Sequence, residues 1–78
     1  MRIKIVEAKL GREKAVGQCF HGENLIEIDP RQSERERLDT VIHEVLHLCC
    51  PEWTEEQVIR VSQILSSALW KCRYRRFL

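Results

Sequence analysis

Leu38-Asp39-Thr40-Val41-Ile42-His43-Glu44-Val45-Leu46-His47-Leu48-Cys49-Cys50-Pro51 is the stretch on which the reading of this chain turns. Its apolar residues Leu38, Val41, Ile42, Val45, Leu46 and Leu48 recur at the spacing of a helix that turns one face to a core. Ser33 and Glu36, just upstream, match a capping box, in which the serine hydroxyl and the glutamate satisfy amides that open the helix. Pro51 ends the helix, because the residue before a proline is driven out of the α region. Thr54-Glu55-Glu56-Gln57 is a second capping box and opens a longer helix carrying Val58, Val61, Leu65, Ala68, Leu69 and Cys72.

Upstream of Ser33 the period changes from helical to alternating. Arg2 to Lys9 sets Ile3 and Ile5 against Lys4 and Glu7, and Gly11 breaks the run. Ala15 to Phe20 is a second strand candidate, with Gly17 as a candidate bulge. His21-Gly22-Glu23-Asn24 is a turn, and Leu25 to Asp29 a third strand stopped by Pro30. Ala15 to Asp29 therefore reads as a β-hairpin. The expected fold class is α+β: a small antiparallel sheet of three strands, hairpin included, packed on two α-helices in one domain over residues 1–78.

A core built from 78 residues offsets chain entropy only marginally, and metal, disulfides or a partner often supply the rest. The 13 Lys+Arg against 12 Asp+Glu leave a net charge of +1, which gives no global bias toward nucleic acid or a membrane surface. Lys71, Arg73, Arg75 and Arg76, interleaved with Tyr74 and Phe77, are cations where a helix dipole favours them, so nucleic acid is not an expected partner. No apolar run reaches transmembrane length, and the first residues alternate where a signal peptide would be continuously apolar. The expected location is cytoplasmic. Cys19, Cys49, Cys50 and Cys72 contain no Cys-x-x-Cys pair, and reduced, mostly buried thiols are expected.

His43-Glu44-Val45-Leu46-His47 carries the chemistry. Residues four apart on a helix share a face, about 5–6 Å apart at Cβ, so both imidazoles can reach one zinc ion. Glu44, one residue round the helix, can touch water held by that metal without ligating it, which makes it the candidate catalytic base. A catalytic zinc site uses three protein ligands and an open fourth position. One extension of the motif places a glycine and a third histidine downstream; here Cys50 and Trp53 stand in those places, which excludes it. A glutamate from the next helix is the other common solution. If Val58, Val61, Leu65, Leu69 and Cys72 face inward, Glu55 lies roughly 90° from their centre and Glu56 nearly opposite. The wheel therefore favours Glu55 as the third metal ligand. Glu56 competes with it, as do Cys50, on the same face as His43, and His21 in the hairpin turn.

His43 to His47, the short link Pro51-Glu52-Trp53 and the helix opening Thr54-Glu55-Glu56 resemble the zincin metallopeptidases. Among these the chain looks most like very small, glutamate-completed (gluzincin-like) versions found in bacteria and phages. Ile28-Asp29-Pro30, Arg37 to Ile42, Leu69-Trp70 and Tyr74-Arg75-Arg76 add to the likeness. The resemblance implies a zinc-dependent peptidase in which Glu44 is the general base, with the small sheet lying over the motif helix. A peptide or protein substrate would pair with an exposed hairpin strand, Ala15 to Phe20 or Leu25 to Asp29, by strand addition. His21, Tyr74 and the arginines are candidates to stabilise the oxyanion. Larger gluzincins carry an aspartate four residues after the ligand glutamate. Ile59 and Arg60 stand there instead, leaving Asp39 or a backbone carbonyl to support a histidine. The alternative is a non-catalytic, zinc-stabilised interaction module whose site is closed by a fourth protein ligand.

Overall fold

In the computed structural model, residues 1–10 and 16–74 are described. Three strands and two helices follow in order: β1 (Lys4–Glu7), β2 (Gly17–Phe20), β3 (Leu25–Ile28), α1 (Glu34–Cys49) and α2 (Glu55–Lys71). A single 3-10 turn, His21–Glu23, joins β2 to β3, and Asn24 closes it in the left-handed region at φ 49°. Asparagine tolerates that conformation because its short side chain can bond locally. Ala15, the expected first residue of the second strand, lies outside the described residues.

The α+β class and the pairing of a three-stranded sheet with two helices are as expected. One pairing differs. The hairpin is antiparallel, with Gly17 opposite Ile28 and Phe20 opposite Leu25, but β1 runs parallel to β3, with Lys4 opposite Leu25. The sheet is therefore mixed, in the order β1-β3-β2. Alternating side chains mark a strand but do not carry its direction. Direction is set by the pairing itself: β1 runs with β3 and therefore against β2, which lies on the other side of β3. The junction is clamped at the end of β3, where buried Asp29 accepts from the Leu10 amide at 3.0 Å and from the Arg31 amide at 3.0 Å. The Arg31 guanidinium bonds the same carboxylate and holds it well below the usual carboxylate range.

Both capping boxes form. Ser33 accepts from the Glu36 amide and Thr54 from the Gln57 amide, with each third-position side chain reaching back to the cap. The core gathers Ile26 and Ile28 from one face of β3 with Leu48 from α1, backed by Ile3, Cys19, Val41 and Val45. α1 lies over β2 and β3, and α2 packs on α1. No helix among the described residues is long and apolar enough to cross a membrane.

The inward face of α2 is not the apolar stripe expected from the wheel. Val58, Ser62 and Ser66 are the buried residues, whereas Leu65 is 41% exposed and Cys72 is exposed. Both serines find hydroxyl partners at the inward positions: Ser62 Oγ donates to the Ile59 carbonyl of its own helix at 3.0 Å, and Ser66 reaches α1. Ser66 Oγ donates to Asp39 at 3.0 Å and accepts from Arg35 at 3.1 Å, which satisfies a hydroxyl that would otherwise be costly to bury. All four cysteines are free thiols; Cys49 and Cys72 are exposed, so the thiols are not mostly buried.

Candidate metal centre

On α1, the line Thr40-Glu44-Leu48 is buried, and His43 and His47 occupy the adjoining face. α2 begins beside them because the link after Pro51 is short and Thr54 caps the new helix at once. That places Glu55 in the first turn of α2, against the last turns of α1.

His43 Nε2 and His47 Nε2 stand 3.2 Å apart. Glu55 Oε1 lies 2.9 Å from the first and 3.1 Å from the second. These three atoms are the only grouping of metal-ligating side chains among the described residues. Pairwise hydrogen bonding cannot account for the triangle. If both ring nitrogens donate to the carboxylate, they meet each other donor to donor; if one does not, it meets the carboxylate lone pair to lone pair. A cation satisfies all three at once. Ligand atoms around one tetrahedral zinc at 2.0–2.1 Å stand about 3.3 Å from each other, so the size of the triangle fits. The site opens on one side to solvent, with the His43 and His47 side chains 22% and 26% exposed and that of Glu55 63%.

Glu44 lies inward of the two histidines, close enough to feel the charges of His43, His47 and Glu55. It is 9% exposed and lies beneath β2, between Gly17 and Cys19. Burial pushes its carboxyl up from the ordinary range, partly offset by His43 and His47. The Cys19 thiol shares a hydrogen bond with it, and burial followed by the Glu44 charge pushes that thiol up, so the sulfur keeps its proton to donate.

Gly17 is not a bulge, being paired opposite Ile28. Its lack of a side chain lets β2 approach α1: a Cβ there would stand 2.5 Å from Thr40 Cγ2 and 3.2 Å from Glu44 Cγ. Thr40 is stiff at χ1, and its hydroxyl is held by Gln32 at 2.7 Å. Gly17→Ala should therefore cost about 1–3 kcal/mol, read as a lowered denaturant midpoint at unchanged m-value. An unaltered midpoint would refute the close-packed role. Gly17 and Cys19 could have been found from the hairpin register, which sets them opposite the apolar Ile28 and Ile26.

The remaining candidates separate cleanly. Glu56 is exposed and outside the cluster. Cys50 leaves the helix at φ −128°, ψ 64°, as Pro51 requires, and is also outside it. His21 is no member either; its Nε2 lies 2.9 Å from the His47 carbonyl oxygen. Tyr74 follows the far end of α2 from Glu55, about 25 Å along a 17-residue helix, too far to act on an oxyanion here. Arg31 is held by Asp29, and Arg35 by Ser66. Asp39 accepts from Ser66. β3 has both edges paired and cannot take a further strand, so only the outer edge of β2 remains for strand addition within the hairpin.

The fold and the site together define a small α+β domain whose His43, His47 and Glu55 can hold a metal ion. No protein-family model, curated protein or solved structure matches the chain.

Proposed function

We propose that this chain is a zinc-dependent metallopeptidase of minimal, gluzincin-like form, with His43, His47 and Glu55 as ligands and Glu44 as general base. The observation that carries the reading is the convergence of three ligand atoms within 3.2 Å on the solvent-facing side of α1, with a buried carboxylate one residue from the first ligand. Two nitrogens and one oxygen suit zinc better than the hard cations, which prefer all-oxygen sets. Bound zinc supplies Lewis acidity toward a peptide carbonyl and lowers the pKa of water to about 7. Glu44, held by Gly17 and Cys19, accepts a proton and returns it to the departing amine, as one carboxylate can in sequence. An extended peptide pairs with the outer edge of β2, whose inner face carries Gly17 and Cys19 against Glu44.

The test uses the purified full chain loaded with one zinc. Unfolded casein should be cleaved, cleavage should stop on chelation, and stoichiometric zinc should restore it. Tight binding of one zinc without casein cleavage would sink the peptidase reading. The alternative, a zinc-stabilised interaction module, would then be favoured by the small core of Ile26, Ile28, Leu48 and Val58, and would require a large drop in melting temperature on zinc removal.

A further inference from the structure

α1 ends in a way that leaves the carbonyl of His47 without a helical partner. In an unbroken helix that carbonyl would accept from the amide four residues on, but residue 51 is proline and has no N–H. The Cys50 amide closes the last α1 bond, onto Leu46 at 2.8 Å, and Cys50 then departs from helical geometry. The carbonyl at this position belongs to a residue of the proposed ligand set, two residues from the end of the helix, where helices fray.

His21 fills the vacancy from a distant part of the chain. Its Nε2 lies 2.9 Å from the His47 oxygen. A carbonyl only accepts, so Nε2 carries the proton and donates. The turn that presents it is fixed at both ends, by Phe20 opposite Leu25 in the hairpin and by the Lys4 amide donating to the Asn24 carbonyl at 2.9 Å. The donor is therefore anchored in the sheet and independent of the helix it caps.

We infer that His21 is a positioning residue of the metal centre. It supplies the donor that Pro51 withholds, and so holds the last turn of α1 with the His47 ring in register with His43 and Glu55. The same bond steadies the start of the link that carries the chain to Thr54 and Glu55. His21 holds a ligand's backbone and is not a ligand. The inference rests on the metal reading above, and the experiment separates the two.

Zinc affinity of the full chain is measured by competition with a chromogenic chelator for the unsubstituted protein, His21→Leu and His21→Gln. Each variant's cooperative melt is recorded without metal to establish that it folds; His21 is exposed, so neither substitution disturbs the core. His21→Leu removes the donor and should weaken zinc binding by about tenfold, the lower end of what outer partners of metal ligands contribute. His21→Gln places an amide N–H at similar reach and should stay within about threefold of the unsubstituted chain. A purely structural role for the ring would let both substitutions act alike. Equal affinity for His21→Leu and the unsubstituted chain overturns the inference, as does equal weakening by leucine and glutamine. Absence of zinc binding by the unsubstituted chain overturns the metal reading itself, and this inference with it.

Discussion

Truncation of His47 to alanine is expected to weaken zinc binding by about two to three orders of magnitude, with His43→Ala alongside it. Structural zinc sites with four protein ligands bind with about 10–16 kcal/mol, or roughly 2.5–4 kcal/mol per ligand, and each 1.4 kcal/mol is about tenfold in affinity. Water can enter the vacated place because the site is open to solvent, which keeps the loss from being total. Glu55→Gln should fall by about tenfold to a hundredfold. It loses the charge, but the Glu55 side chain is 63% exposed and less constrained than either ring. Glu56→Gln and Cys50→Ser serve as controls and should bind as the unsubstituted chain does, since neither residue reaches the cluster. Chelator competition on all five variants decides it. Unchanged affinity in Glu55→Gln would move the third ligand elsewhere, and a loss in Cys50→Ser would bring a thiolate into the site.

The helix that presents the two histidines was legible because several local signals agreed on it. The capping box at Ser33 and Glu36, the apolar recurrence and the stop at Pro51 all act within a few residues, and the structure contains each. The spacing of His43 and His47 needed only the helix to become a shared face. Two features were not legible, for physical reasons. The direction of β1 is set by its long-range pairing with β3, and alternation is identical for a strand read either way. The inward face of α2 was misjudged because Ser62 and Ser66 occupy it, and hydrophobicity alone assigns serines to solvent. Ser62 is satisfied within α2, by the Ile59 carbonyl, but Ser66 depends on Asp39 and Arg35 of the other helix, information that lies outside α2.

Correcting that face strengthens the placement of Glu55. At about 100° per residue, Glu55, Val58, Ser62 and Ser66 fall within an arc of about 80°, so Glu55 continues the contact face. Small side chains on this face also let α2 lie close to α1, which is what brings a glutamate in the first turn of one helix within 3.1 Å of a histidine on the other. The choice between Glu55 and Glu56 thus follows the packing of Val58, Ser62 and Ser66, up to about three turns along the helix.

Glu44→Gln should separate catalysis from stability, moving them in opposite directions. A general base is worth about 10²–10⁴-fold in kcat, and glutamine keeps the shape of Glu44 without its basicity, so on the proposed mechanism casein hydrolysis should drop by that factor. Zinc affinity should change little, since Glu44 is not among the three converging ligands. Without metal, the variant should melt higher at pH 7. A carboxylate 9% exposed beneath β2 carries a desolvation cost that a neutral amide of the same size avoids. The Cys19 thiol can still donate to the amide oxygen, so no partner is orphaned. A gain of about 1 kcal/mol would raise the melting temperature by roughly 4–8 °C in a domain of this size. Residues kept for chemistry at the expense of the fold behave in this way. A melt that falls while activity survives would reverse the assignment, making Glu44 a structural carboxylate whose charge the fold requires and leaving the proposed reaction without its base.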